Sequence, residues 1–186
     1  MRMTRRGFGL AAATALAAPG LGFAASARAA PALKVVDIGD GLALHYVEAG
    51  SGSPVIFVHG SISDYTYWQD QLAPFARTHR AIAYSRRYNY PNANPPRPGY
   101  SAYGDAADLA ALIERLEIGP AHIVGHSYGA FTALVLATQR PELVRTLVLA
   151  EAPAVSLLGH LEGERRAEGR AMLADIQARL VGTHPA

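Results

Sequence analysis

The spacing of apolar residues changes several times along the chain. Residues 33–38 and 42–49 are two short β-prone runs around Asp40-Gly41, which predicts a hairpin. Gly50-Ser51-Gly52-Ser53 predicts a turn. Pro54-Val55-Ile56-Phe57-Val58 is continuously apolar, as a strand buried on both faces requires. Residues 67–76 read as a helix, 81–84 as a short strand, and 86–100 as a loop holding Pro91, Pro95, Pro96 and Pro98. Helical spacing returns over 102–116 with Ala106, Leu109, Ala110, Ile113 and Leu116, and Gly119-Pro120 is expected to stop it. An apolar strand over 121–124 leads into a helix over 129–139, ended by Pro141, and 144–150 is one more apolar strand. Met172, Leu173, Ile176 and Leu180 form a stripe on a helical segment over 161–181.

After the hairpin, strands and helices alternate. That predicts an α/β protein with a mostly parallel sheet and helices on both faces. Functional groups are then expected at the carboxyl ends of the strands.

Composition sharpens this in three ways. Half of the 186 residues are apolar, too many for a disordered chain and enough for one domain core. There is no cysteine, which excludes disulfides, a thiol nucleophile and thiolate metal sites. The basic balance is confined to the N-terminus: Arg2, Arg5, Arg6 and Arg28 face no acid within residues 1–30. Without those four, 17 basic residues become 13 against 15 acidic, a net of −2, so charge offers no argument for a nucleic-acid partner.

Residues 1–30 themselves read as an export signal. Thr4-Arg5-Arg6-Gly7-Phe8 is a charged start, Ala-rich residues 11–18 form a mild apolar core, and Ala27-Arg28-Ala29 is a small-residue cleavage site. The Arg-Arg-x-Phe pattern resembles twin-arginine signals. The expectation is an exported chain, periplasmic or secreted, with no stable membrane span once the leader is removed. Three segments follow: a signal peptide over 1–30, a core of six strands over 31–156, and over 157–186 the start of a cap or C-terminal helical segment.

The chemistry concentrates at two strand ends. Gly125-His126-Ser127-Tyr128-Gly129 is G-x-S-x-G, placed where a strand gives way to a helix. A nucleophilic serine there stands on a sharp, strained turn, and glycines two before and two after let strand and helix pass closely. Val58-His59-Gly60-Ser61 lies at the end of the earlier buried strand. Acyl transfer needs two backbone N–H donors aimed at the developing oxyanion, and Tyr128 and Ser61 are the candidates, with Gly60 allowing the turn and His59 shaping the loop.

With these residues in view, the chain resembles the α/β-hydrolase superfamily in its esterase- and lipase-like branch. The resemblance runs over residues 33–153 and rests on the hairpin end over 44–52, the 57–61 loop, Trp68, the 125–129 elbow, Asp105–Leu109, Arg140-Pro141-Glu142 and 147–150. It implies an α/β-hydrolase fold, Ser127 as nucleophile, and a small-molecule acyl substrate with no cofactor and no metal. Haloalkane dehalogenases and epoxide hydrolases of the superfamily use aspartate where Ser127 stands.

The resemblance also implies a histidine base after an eighth strand and an acid usually after the seventh, in the chain order Ser, acid, His. The sequence accounts for about six strands, so the last two strands and the triad histidine are expected to be missing. His126 neighbours Ser127, but adjacent side chains on such an elbow are expected to diverge. His184 lacks a preceding strand. Glu151, ending the sixth strand, is a candidate acid, although a sheet-edge or cap-contact glutamate is the favoured reading. The expected protein is therefore a serine hydrolase impaired as written, the alternatives being an inactive fragment or a non-catalytic binding module. A seventh strand would cover 144–150. Without one, that open apolar edge predicts self-association, which light scattering at micromolar concentration would detect.

Other classes fail on pattern. There is no G-x-x-x-x-G-K-[ST] loop, and Lys34 is the sole lysine. No G-x-G-x-x-G follows a strand. The Arg-, Tyr- and Asn-rich segment over 84–103 is expected to rim the active site.

Overall fold

The computed structural model describes residues 31–153, together with 163 and 167. Residues 1–30, read above as an export signal, and most of the segment over 157–186 lie outside the described residues, as do His160 and His184. Among the described residues six strands form one sheet: β1 (Lys34–Gly39), β2 (Leu42–Ala49), β3 (Ser53–Val58), β4 (His79–Tyr84), β5 (Ala121–His126) and β6 (Val144–Ala150). Their order across the sheet is β1-β2-β4-β3-β5-β6. The β1–β2 hairpin and the β2–β4 pair are antiparallel, whereas β4, β3, β5 and β6 run parallel. Three α-helices connect them: α1 (Gln69–Phe75), α2 (Ala102–Arg115) and α3 (Tyr128–Gln139).

The central strands alternate between two cores because successive side chains leave a strand on opposite faces. Ile56 and Val58 of β3 and Ile82 and Tyr84 of β4 join Leu109, Ile113, Ala133 and Leu136 of α2 and α3 on one side. Val55, Phe57, Ala81 and Ala83 meet Trp68 and Leu72 on the other. There the Phe57 ring lies 5.1 Å from both Trp68 and Phe75. Burial fades outward. β6 stands at one edge of the described sheet, with Val148 and Leu149 exposed.

Several element ends differ from the sequence expectation, each for a local reason. The first helix opens earlier, as a 3-10 turn over Tyr65–Trp68, because the Asp64 carboxylate caps it by accepting from Thr66 N–H at 2.8 Å. Helix α2 ends at Arg115, before Gly119-Pro120. Glu117 adopts a left-handed φ of +52°, and Ile118 N–H reaches back to Ile113 C=O.

The 86–100 loop has an unanticipated structural job. β4 pairs with β2 only over Tyr46–Ala49, leaving the other half of that β2 edge without a strand. Asn92 and Asn94 complete it: their side-chain carbonyls accept from His45 N–H and Ala43 N–H. Their amide groups donate to the backbone of Ser85, Arg86, Arg87 and Ala43. Among the described residues no helix is long and apolar enough to cross a membrane.

Candidate active site

The register of the parallel strands decides which loops meet. Val58 lies beside Tyr84 on one side and Gly125 on the other, and His126 lies beside Ala150. The residues that follow, His59–Ser61, Ser85-Arg86, Ser127 and Glu151, therefore leave the sheet at one edge. The sequence motifs separated by more than 60 residues come together there.

Ser127 has φ +52° and ψ −124°, a conformation rarely adopted by a residue with a Cβ. It is held by its own N–H on Ala150 C=O at 2.8 Å, while its C=O accepts from Ala130 and Phe131. The flanking glycines are sterically required. A Cβ at Gly125 would lie 2.6 Å from Ala130 Cα, and one at Gly129 would lie 2.3 Å from the Val58 carbonyl oxygen. Gly60 packs against the same bend, where a Cβ would come within 3.3 Å of Ser127 Cβ.

The 59–61 loop is organised by one buried arginine. Arg86 donates from Nε to His59 C=O at 3.3 Å and from Nη2 to Gly60 C=O at 2.9 Å and Ser61 C=O at 3.4 Å. Its Nη1 donates to Asp105 Oδ2 at 2.7 Å and Tyr100 Oη at 2.9 Å. The Gly60 carbonyl also accepts from His59 Nδ1 at 2.8 Å. In the trans Gly60–Ser61 peptide the N–H points opposite to that carbonyl, so Ser61 N–H faces away from Arg86. Tyr128 N–H is the first of α3, where no intrahelical acceptor exists. Among the described residues neither amide has an acceptor.

The environment of His59 fixes its proton. Its Nε2 accepts from Arg86 N–H at 3.0 Å, so Nδ1 carries the hydrogen given to Gly60. Burial, reinforced by the Arg86 charge, pushes the imidazolium down to about 4. An unfolded histidine protonates near 6.5, so between these values the unfolded chain binds the extra proton. Stability owed to neutral His59 is complete above about 6.5, falls as pH drops towards about 4, and loses on the order of 3 kcal/mol across that window. We expect nitrogen-15 NMR to show His59 as the neutral Nδ1–H tautomer, without titration from pH 8 to 5.5. Protonation near 6.5 would contradict this.

Ser127, His126, Gly60, Ser61, Ile62, Ser63 and Tyr67 line a cavity of about 300 Å³. A second, also about 300 Å³, lies beyond Ser61 and is walled by Arg86, Tyr88, Asn89, Tyr100 and Tyr128. The 86–100 loop thus rims this cavity. His126 and Ser127 share the first cavity, although side chains adjacent on such an elbow are expected to diverge. The His126 ring stacks on Tyr67 at 5.1 Å, and its Nε2 lies 3.4 Å from Glu151 Oε2. Glu151 is largely exposed and has φ +54°.

Sequence reasoning missed the Arg86–Asp105 and His126–Glu151 pairings. A signal for the first did exist. Arg86-Arg87 follows a strand, and Asp105 and Asp108, three apart on one helix, present two acceptors on one face. Arg87 takes the second, donating to both Asp108 oxygens at 2.7 and 2.5 Å. Among the described residues no group of three or more His, Asp or Glu could hold a metal ion.

Comparisons with known proteins bear on the family of this fold. A non-heme bromoperoxidase, BpoC, of Mycobacterium tuberculosis is 38% identical over 108 residues, 57% of this chain and 40% of that protein. The 2-(acetamidomethylene)succinate hydrolase of Mesorhizobium japonicum is 33% identical over 160 residues, 81% of this chain and 55% of that protein. Among solved structures, an epoxide hydrolase from an endophytic Streptomyces superposes with a TM-score of 0.59 at 30% identity, over 63% of this chain and 36% of that one. The chain thus spans roughly 40 to 55% of the length of these curated relatives. The sequence profile of the alpha/beta hydrolase fold matches residues 53–173, nearly two thirds of the chain, and with the sheet, the bend at Ser127 and these relatives it shows that the chain belongs to the alpha/beta hydrolase fold family.

Proposed function

We propose that this chain carries the nucleophile half of a serine hydrolase site acting on an ester-like or other acyl substrate. Ser127 Oγ bonds to the acyl carbon and gives its proton to a histidine base. The carbonyl electron pair moves onto oxygen, where the Ser61 and Tyr128 N–H groups receive it. Collapse expels the leaving group with that proton, and water repeats the sequence on the acyl-enzyme. The observation that carries this reading is Ser127 itself, held at φ +52° beside two amides that have no acceptor among the described residues.

The relatives include hydrolases of different bond types. Serine at position 127, where epoxide-opening members of the superfamily carry aspartate, favours the acyl reading over the epoxide one. The described residues do not place a histidine on Ser127 Oγ. His126 shares its cavity and is paired with Glu151. Export through the leader belongs to the same proposal.

A fluorophosphonate probe tests it. Oγ–P forms, P–F breaks, and fluoride and the serine proton leave. We expect covalent labelling mapped to Ser127 and abolished in Ser127→Ala. Ligand binding without labelling of Ser127 would replace the enzyme reading with a binding module.

A further inference from the structure

We infer that Arg86 is the positioning residue of the oxyanion loop, a single buried guanidinium that turns the backbone around Ser61 and braces Tyr128. The inference rests on the serine-hydrolase reading above. Three observations support it.

The first is the direction of the donors. Nε and Nη2 of Arg86 serve three consecutive carbonyls, those of His59, Gly60 and Ser61. Drawing those carbonyls to one side leaves Ser61 N–H on the other, because C=O and N–H of a trans peptide are antiparallel. A guanidinium is a rigid planar fork, so its grip on successive carbonyls fixes a loop that a flexible ammonium would hold at one point.

The second is that the same group touches both residues that carry the candidate amides, Ser61 at its carbonyl and Tyr128 at its ring. The Arg86 guanidinium carbon lies 4.7 Å from the centroid of the Tyr128 ring. It thus ties the 59–61 loop to the first residue of α3. Asp105 anchors the assembly to α2, and the two side chains are 3% and 0% exposed.

The third is saturation. An arginine lining a cavity invites an anion-binding role, but Nη1 is committed to Asp105 and Tyr100 and the remaining nitrogens to carbonyls. Every N–H direction is used within the protein. Arg86 therefore shapes the site without recognising substrate. Arg87 is the natural control: it carries the same charge next door, yet its fork closes on Asp108.

The test uses the full chain and a fluorophosphonate probe, with the rate of the covalent step and the affinity of the reversible complex measured separately. In Arg86→Gln the rate of the covalent step is expected to fall about 100-fold, the usual effect of losing one oxyanion donor, with reversible binding unchanged. Arg86→Lys should recover part of the rate, because it keeps a charge for Asp105 but cannot hold three carbonyls. Arg87→Gln should label at nearly the unaltered rate. Amide resonances of Gly60 and Ser61 should move in Arg86→Gln and stay in place in Arg87→Gln.

A folded Arg86→Gln protein that labels at the original rate overturns the inference and leaves the role of Ser127 standing. Equal losses in both glutamine variants also overturn it, because they indicate general loosening. If the unaltered chain does not label, the serine-hydrolase reading falls, and the Gly60 and Ser61 resonances decide the role of Arg86: fixed resonances refute it, moved ones support it. If Arg86→Gln does not fold, the same criteria apply to Arg86→Lys.

Discussion

Replacing Asp105 with alanine is expected to destabilise the protein by about 3–5 kcal/mol, the usual cost of removing one partner of a buried ion pair. Asp105 Oδ2 accepts from Arg86 at 2.7 Å and from Tyr100 Oη at 2.7 Å, and the carboxylate is fully buried. Burial, together with the hydrogen bond to Asp105, pushes the Tyr100 phenol well above its ordinary range, so it remains a donor throughout the accessible pH scale. Losing the carboxylate leaves the Arg86 charge among carbonyl dipoles with no counter-ion. Urea unfolding at pH 7 measures the loss. A change below about 1 kcal/mol would mean that water reaches the arginine as it reaches a surface pair. The double variant Arg86→Met with Asp105→Leu should regain much of the stability, because a buried pair often does no better than apolar residues of similar volume. It should not regain labelling of Ser127, which separates holding the fold from holding the loop.

The second large effect is expected at the elbow. Gly129→Ala should cost more than about 3 kcal/mol or prevent soluble expression, placing it among the exceptional single substitutions. The added Cβ would meet the carbonyl oxygens of Val58 and His59 at 2.3 and 2.4 Å. These are backbone atoms at the end of the central strand β3, with parallel neighbours on both sides, so no side-chain rotation relieves the overlap. Gly104 provides the contrast. It lies within α2, and a Cβ there would meet nothing within 4 Å. Gly104→Ala should stabilise by roughly 0.5–1 kcal/mol, from helix propensity alone. A tolerated Gly129→Ala in thermal unfolding would show that α3 can shift away from β3, and the close packing argued for the elbow would fail.

Much of the fold was legible because its signals are local. The run 54–58 is apolar at every position, and the structure buries Val55–Val58 between two parallel neighbours. The elbow was legible for the same reason. The requirement for glycine at 125 and 129 arises from atoms within a few residues of Ser127 and from the strand beside it. The helix over 102–116 was legible to within one residue, since α2 ends at Arg115 with Leu116 as its cap, whereas the left-handed turn at Glu117 had no sequence signal. The segment over 84–103 was legible as a rim, but the role of its 86–100 loop in completing β2 was invisible. Asn92 finds His45 at a separation of 47 residues, and Asn94 finds Ala43 at 51.

By itself the amino-acid sequence determined the alternation of strands and helices, the two strand ends that carry chemistry, and the strained position of Ser127. Those features depend on side-chain period and on steric exclusion over two to four residues, which any reader of the chain can apply. Only the tertiary structure decided that Arg86 grips the 59–61 carbonyls, that Asp105 answers its charge, and that His126 faces Glu151. Partners of this kind are chosen by strand order and register, which bring Val58, Tyr84, Gly125 and Ala150 to one edge of the sheet. A buried charge takes whichever acceptors that edge presents, and nothing in the residues adjacent to Arg86 along the chain names them.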